Sequence, residues 1–156
     1  MYTIAHQVWI NASSEAVYKA VTTTEGVSKW WIADCTLKAE VGHVNLFRMG
    51  GHIHDKMLII DLQENEYVEW ECVNDNGLWT GTNLSFEIIE KHGVSILNFK
   101  HSLWPEMSDF FTICNFHWAR HLLMLKALCE TGENQLNPVE ETKWGELYQK
   151  LNPSAS

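Results

Sequence analysis

The stretch that decides the fold runs from Val94 to Gly132, VSILNFKHSLWPEMSDFFTICNFHWARHLLMLKALCETG. Its period changes halfway. From Val94 to Ser102 the residues alternate, with Leu97, Phe99 and His101 on one face, so this part reads as a strand. From about Ser108 to Glu130 the period becomes helical. Phe111, Cys114, Trp118, Leu122, Leu125 and Cys129 fall in one stripe, widened by Phe110, Ile113 and Met124. Gly132 stands just past the end, where a C-cap takes a left-handed residue. A long helix with so wide an apolar stripe must lie on a surface of matching character.

That surface is legible upstream. Thr36–Glu40, Val44–Met49, His52–Leu62, Tyr67–Val73 and Thr80–Glu90 read as further strands. Gly42, Gly50-Gly51, Asn65, Asp75-Asn76-Gly77 and His92-Gly93 separate them. Such short, Gly-rich turns join antiparallel neighbours, so the middle of the chain is a meander. Val68, Trp70 and Cys72, then Leu84, Phe86 and Ile88, share the inward face with Leu97, Phe99 and His101. Glu69, Glu71, Asn83, Ser85 and Glu87 face water. A sheet with one wet face must cover the other, and only the 108–130 helix is long enough to do so.

The chain opens with another strand, Thr3 to Ile10, with Ile4, His6, Val8 and Ile10 on one side. Ser13 is placed to cap a short helix carrying Ala16, Val17, Ala20 and Val21, with Glu15 complementing its dipole. Thr23 or Thr24 opens a second short helix running toward Trp31, weakened by Gly26 and therefore leaning on tertiary contacts. After Gly132 the composition turns polar. Pro138 starts a helical tail, Val139 to Leu151, with Trp144, Leu147 and Tyr148 as anchors and a frayed end over 152–156. The class is α+β. A curved antiparallel sheet wraps a long C-terminal helix, with one domain over 1–135 and the tail, 136–156, packed on or beside it.

Charge and composition exclude several functions. The formal net charge is -9, with no basic stripe, which speaks against nucleic acid and against anionic membranes. No apolar run reaches the roughly 18 residues of a membrane span. Met1 leads straight into alternating residues, which reads against a signal peptide and for a cytoplasmic location. Cys35, Cys72, Cys114 and Cys129 show no CxxC spacing and read as buried free thiols. No motif calls for a cofactor. Eight Trp in a chain of 156 residues suit a thick core or a cavity walled by rings.

The order strand, two short helices, meander, long helix is similar to the helix-grip fold. INASSEAVYKAVTTTEGVSKWW, from Ile10 to Trp31, resembles the opening of bacterial proteins of the Hsp90-ATPase-activator-homologue family, within the START-like or SRPBCC superfamily. Val17-Tyr18 and Trp30-Trp31 match that opening. Val68-Glu69-Trp70 resembles the family's strand ending in Trp, and Leu97-Asn98-Phe99-Lys100-His101 its last strand. WARHLLMLKALCETG, from Trp118 to Gly132, is similar to its closing helix. The resemblance spans about residues 3–132. It implies a ligand pocket between sheet and helix without implying one chemistry. The family's chaperone activator has an additional N-terminal domain, whereas this sequence begins at the first strand, which speaks against direct chaperone activation.

One helix across a concave sheet leaves part of the hollow unfilled, so a cavity lined by aromatics is expected. Its walls are Trp30, Trp70, Leu84, Phe86, Phe99, Phe111, Cys114 and Trp118, residue types that plain core packing uses equally. His101, at the end of an inward row near the expected mouth, is the best candidate for orienting a ligand or moving a proton, with Tyr18 and His117 as further polar groups. The alternative for His101 is a histidine bonded to a loop carbonyl. His117 and His121 sit four apart, a metal-ligand spacing to which His52 and His54 could add, but such histidines are more often structural, and no metal is assigned. Asp34, Asp55 and Asp61 read as solvated carboxylates at strand edges or turns. No nucleophile with a base, phosphate loop or carboxylate pair is visible. The expected partner is a small apolar or aromatic molecule. A homodimer is compatible with the sequence. A cyclase- or dehydratase-type enzyme using the same pocket is the second reading, and a chaperone-associated interaction module the last.

Overall fold

The computed structural model describes residues 1–153. Strand β1 (Tyr2–Ile10) leads into helices α1 (Ser14–Thr22) and α2 (Thr24–Val27). Six strands follow: β2 (Asp34–Thr36), β3 (Val44–Met49), β4 (His52–Gln63), β5 (Tyr67–Cys72), β6 (Asn83–Lys91) and β7 (Val94–Trp104). Helices α3 (Asp109–Thr131) and α4 (Pro138–Leu151) close the chain. The strands form one antiparallel sheet in the order β1-β7-β6-β5-β4-β3-β2, so β2 to β7 are a meander and β1 joins it beside β7. Register shifts near Ile4, Arg48 and Asp61 mark irregularities of the kind that bend a sheet.

The alternation of the strands sets the faces as read. Val68, Trp70, Cys72, Leu84, Phe86, Ile88, Leu97, Phe99 and His101 are all buried. Phe47 from β3 and Met57 and Ile59 from β4 join them. From α3, Phe111, Cys114, Trp118, Leu122 and Leu125 close the core. Ser108 caps α3 by accepting from the Phe111 N–H, and Gly132 ends it at φ 76, the left-handed cap.

The early helices lean on tertiary contacts as Gly26 suggests. A Cβ on Gly26 would stand 2.6 Å from Ala20 Cα, so glycine is what lets α2 touch α1. Thr23 caps α2 by accepting from the Gly26 N–H, and α2 ends at Val27, earlier than read. Trp30 then reaches back, its indole donating to Ala20 O at 2.8 Å.

Three strands depart from the reading by two residues or more at one end or both, and one side chain differs in its environment. The strand expected over Thr36–Glu40 is Asp34–Thr36 instead, because side chains satisfy the following amides: Leu37 N–H donates to Thr24 Oγ1 and Lys38 N–H to Asn45 Oδ1. Strand β6 starts at Asn83 rather than Thr80, since Thr82 N–H turns back to Trp79 O. β7 runs on to Trp104, past the expected end at Ser102. Asp55 is not solvated. It shares the inward face of β4 with Met57 and Ile59, is 5% exposed, and accepts from Asn74 Nδ2 at 2.9 Å beside His54 Nδ1 at 2.8 Å.

Helix α4 begins at Pro138 behind an Asn137 cap and buries no residue. Trp144 anchors it against Phe116 and His117. Leu147 and Tyr148, read as anchors, are exposed. Of the end expected to fray, Asn152 and Pro153 follow the helix and 154–156 lie outside the described residues.

Candidate functional site

The interior rings pack directly on one another. Trp118, at the centre of α3, has its ring centroid 4.5 Å from Phe99, 5.1 Å from Trp31 and 5.8 Å from Trp79. Behind them Trp70 meets Phe86 at 5.5 Å, and Phe86 meets Phe99 at 5.3 Å. Trp30, Trp70, Leu84, Phe86, Phe99 and Trp118 are therefore brought together in one buried cluster. Phe111 and Cys114 are buried on α3, where Phe111 packs edge-on against Trp104. Tyr18 is half-buried on α1, where burial and then Glu64 raise its phenol pKa.

His101 is fully buried within the layer rather than at a mouth. Both ring nitrogens are engaged. Trp118 Nε1–H donates to Nδ1 at 3.0 Å, so the ring proton belongs on Nε2, 2.8 Å from Thr82 Oγ1. The Thr82 hydroxyl in turn donates to Trp79 O at 2.6 Å. This chain of three bonds runs from the closing helix through β7 to the 73–82 loop. Burial holds the imidazole neutral by pushing its pKa down to about 3, against a small opposing pull from Asp55. The arrangement fixes Trp118 and leaves His101 no free nitrogen.

The histidines of α3 serve α4. Arg120 spans to Glu141 with two bonds, Nη1 to Oε1 at 2.7 Å and Nη2 to Oε2 at 3.1 Å. His121 Nδ1 donates to His117 O, and its Nε2 lies 3.4 Å from Glu141 Oε2, outside good hydrogen-bond geometry. Burial raises the Glu141 pKa, but His121 and Arg120 outweigh it and hold the carboxyl at about 2. His117 accepts from Arg120 Nη2 at 3.2 Å, and its pKa falls to about 4 through burial, then Arg120 and His121. Among the described residues no group of three or more His, Cys, Asp or Glu side chains is set to hold a metal.

Open space lies beside the core rather than inside this ring cluster. A mostly apolar groove of about 950 Å³ separates α4 from the β3–β4 end of the sheet. Trp31, Ile32, Ala33, Met49 and Trp79 form one side, and Leu136, Pro138 and Glu141 the other. None of the expected wall residues lines it. Trp31 and Trp79 connect the two regions, since each lines the groove and also touches Trp118. Sequence reading missed Trp79. The signal available was an apolar Leu78-Trp79 pair inside a Gly-punctuated turn.

The comparisons agree with this architecture. The family model described as Activator of Hsp90 ATPase homolog 1-like protein matches residues 11–130. The solution structure of the Aha1 dimer from Colwellia psychrerythraea is 35% identical, covers 85% of this chain and 98% of its own, and superposes with a TM-score of 0.78. Two more distant structures share the fold. MLL2253 from Mesorhizobium loti has 15% identity, coverage of 81% and 96%, and a TM-score of 0.70. BH1534 from Bacillus halodurans has 21% identity, coverage of 83% and 98%, and a TM-score of 0.69. No curated protein matches the sequence. With its helix-grip architecture and with most of its length matched, the chain belongs to the Activator of Hsp90 ATPase homolog 1-like family.

Proposed function

We propose that this protein binds a small apolar or aromatic molecule between its sheet and closing helix, entered from the groove under α4. The observation that carries the reading is the groove itself. Its 950 Å³ matches the usual size of small-molecule sites, and its inner wall is made by two tryptophans that touch the core cluster. Trp70, Phe86, Phe99 and Trp118 would then form the deep lining behind Trp31 and Trp79. Removing about 200 Å² of apolar ligand surface from water contributes about 5 kcal/mol before association costs, so binding of a small fragment is weak. The cyclase or dehydratase alternative draws no support from His101, whose two nitrogens are already bonded.

Ala33 is exposed and lines the groove, so Ala33→Trp puts an indole across part of it with little effect on the core. In a thermal-shift screen of small apolar compounds, hits on the wild-type protein should lose most of their stabilisation on this variant. Equal shifts on both proteins would place the binding elsewhere.

The protein partner we favour is a second copy of the chain. The Colwellia relative is a dimer, and here Trp9 (67% exposed) and Leu123 (64%) border a groove between β1 and α3. Trp9→Glu should then move the sedimentation coefficient from dimer to monomer at micromolar concentration. A monomeric wild-type protein would remove this reading.

A further inference from the structure

We propose that Trp79 is a removable stopper, an indole of the chain's own that occupies the place of a planar, two-ring aromatic ligand. This inference rests on the binding site proposed above and names the ligand's shape.

Trp79 is the odd member of the ring cluster. Its partners sit on strands, on α3 or directly after α2, whereas Trp79 hangs from the 73–82 loop. From Asp75 to Gly81 every other residue of that loop is exposed. Gly77 at φ 140 and Gly81 at φ 84 bracket the Leu78-Trp79-Thr80 segment, in backbone conformations that side-chain-bearing residues rarely adopt. The indole nevertheless reaches inward. It lies nearly parallel to Trp31, at 6.3 Å and 24°, and to Trp118, at 5.8 Å and 20°, with the His101 ring edge-on at 4.8 Å.

Two further features, combined in no other described indole, make this the one that leaves: Trp70 and Trp104 also bury an unpaired N–H but do not line the groove, and Trp31 lines the groove without such an N–H. Its buried Nε1–H finds only the weakly accepting Cys114 sulfur, so rotation toward the groove gives that donor water, a better partner than the core supplies. The space is at hand, because Trp79 already lines the groove. The main chain need not follow, since Trp79 O is held by Thr82 N–H at 2.9 Å and by the Thr82 hydroxyl at 2.6 Å. Rotation about the side chain is therefore the available motion. It uncovers the faces of Trp31 and Trp118, which is costly unless another flat ring takes the vacated position. A saturated molecule of the same volume cannot restore those parallel contacts. The site thus selects shape, and the stopper keeps the core dry when no ligand is present.

The test uses the full chain and 2-naphthol as probe, with decahydro-2-naphthol as its saturated counterpart. The Trp79 indole N–H signal is assigned in a ¹H–¹⁵N spectrum by its loss in Trp79→Phe. On adding 2-naphthol to wild-type protein, that signal should shift and exchange rapidly with water while the Trp118 N–H, bonded to His101, stays protected. Trp79→Ala should bind 2-naphthol at least tenfold more tightly than wild type, and the saturated probe at least tenfold more weakly than 2-naphthol. If 2-naphthol binds but Trp79→Ala binds it equally or less well, Trp79 is a fixed wall; the stopper is overturned and the site stands. Should neither protein bind the probe, both readings fall. If Trp79→Ala does not fold, the wild-type titration decides alone, a motionless Trp79 signal at saturation overturning the proposal.

Discussion

His101 shows how much a single position reveals and where it stops. Alternation in β7 says which face the residue occupies, and that was legible. Depth was not, because the strand runs on through Leu103, at φ 65, to Trp104, and so carries His101 inside the layer. Asp55 gives the converse lesson. Its alternation with Met57 and Ile59 was present in the sequence, but an acid beside a histidine pair reads as surface. Burial of His101 has a consequence for acid stability. Its folded pKa, about 3, lies below the unfolded value near 6.5, so the unfolded chain binds the extra proton between them. Stability from this residue is complete above about pH 6.5 and is lost as pH falls toward 3. The cost is about 2 kcal/mol between pH 7 and pH 5. Urea unfolding at those two pH values should show that drop in the wild type and a smaller one in His101→Gln; parallel behaviour would mean that the imidazole is not held neutral in the folded protein.

Among the elements, α4 has the weakest attachment. It buries no residue, and its ties are the Arg120–Glu141 fork, the Trp144 contacts with Phe116 and His117, and Arg120 over the Trp144 ring at 5.2 Å. The backbone of Gln135 and Leu136, both donating to Lys29 O, fixes where the helix begins. Glu141→Ala leaves Arg120 without its carboxylate. Amide exchange over 138–151 should then quicken about tenfold while the strands β5 to β7 keep their protection; unchanged exchange in α4 would show that Trp144 alone holds it. The depressed Glu141 pKa gives the pH sense. The fork is at full strength above the ordinary carboxyl range near pH 4.5 and is lost as pH falls toward about 2. The existence of α4 could be read from Pro138 and the residues after it. Its seat could not, because the partners Arg120, His117 and Phe116 lie on the outward side of α3, where helical period marks only what is polar or spare.

For the whole molecule, the meander and the long closing helix followed from period and turn chemistry, since both depend on local pattern summed over many residues, whereas the place of β1 beside β7 is a long-range pairing that no local pattern marks. The open space did not follow. A core and a cavity draw on the same aromatic residues, and the difference between them is set by loops and by the tail, which carry no period. Trp79 and Trp31, the residues that join groove to core, stand in just such segments. Whether a small molecule occupies this region is decided by native mass spectrometry of the protein isolated gently from its own cells. The expected spectrum holds a population heavier than the chain by the mass of a small, ring-bearing molecule, absent from Ala33→Trp prepared in the same way. A spectrum of bare chain alone, or an adduct retained equally by Ala33→Trp, would contradict it.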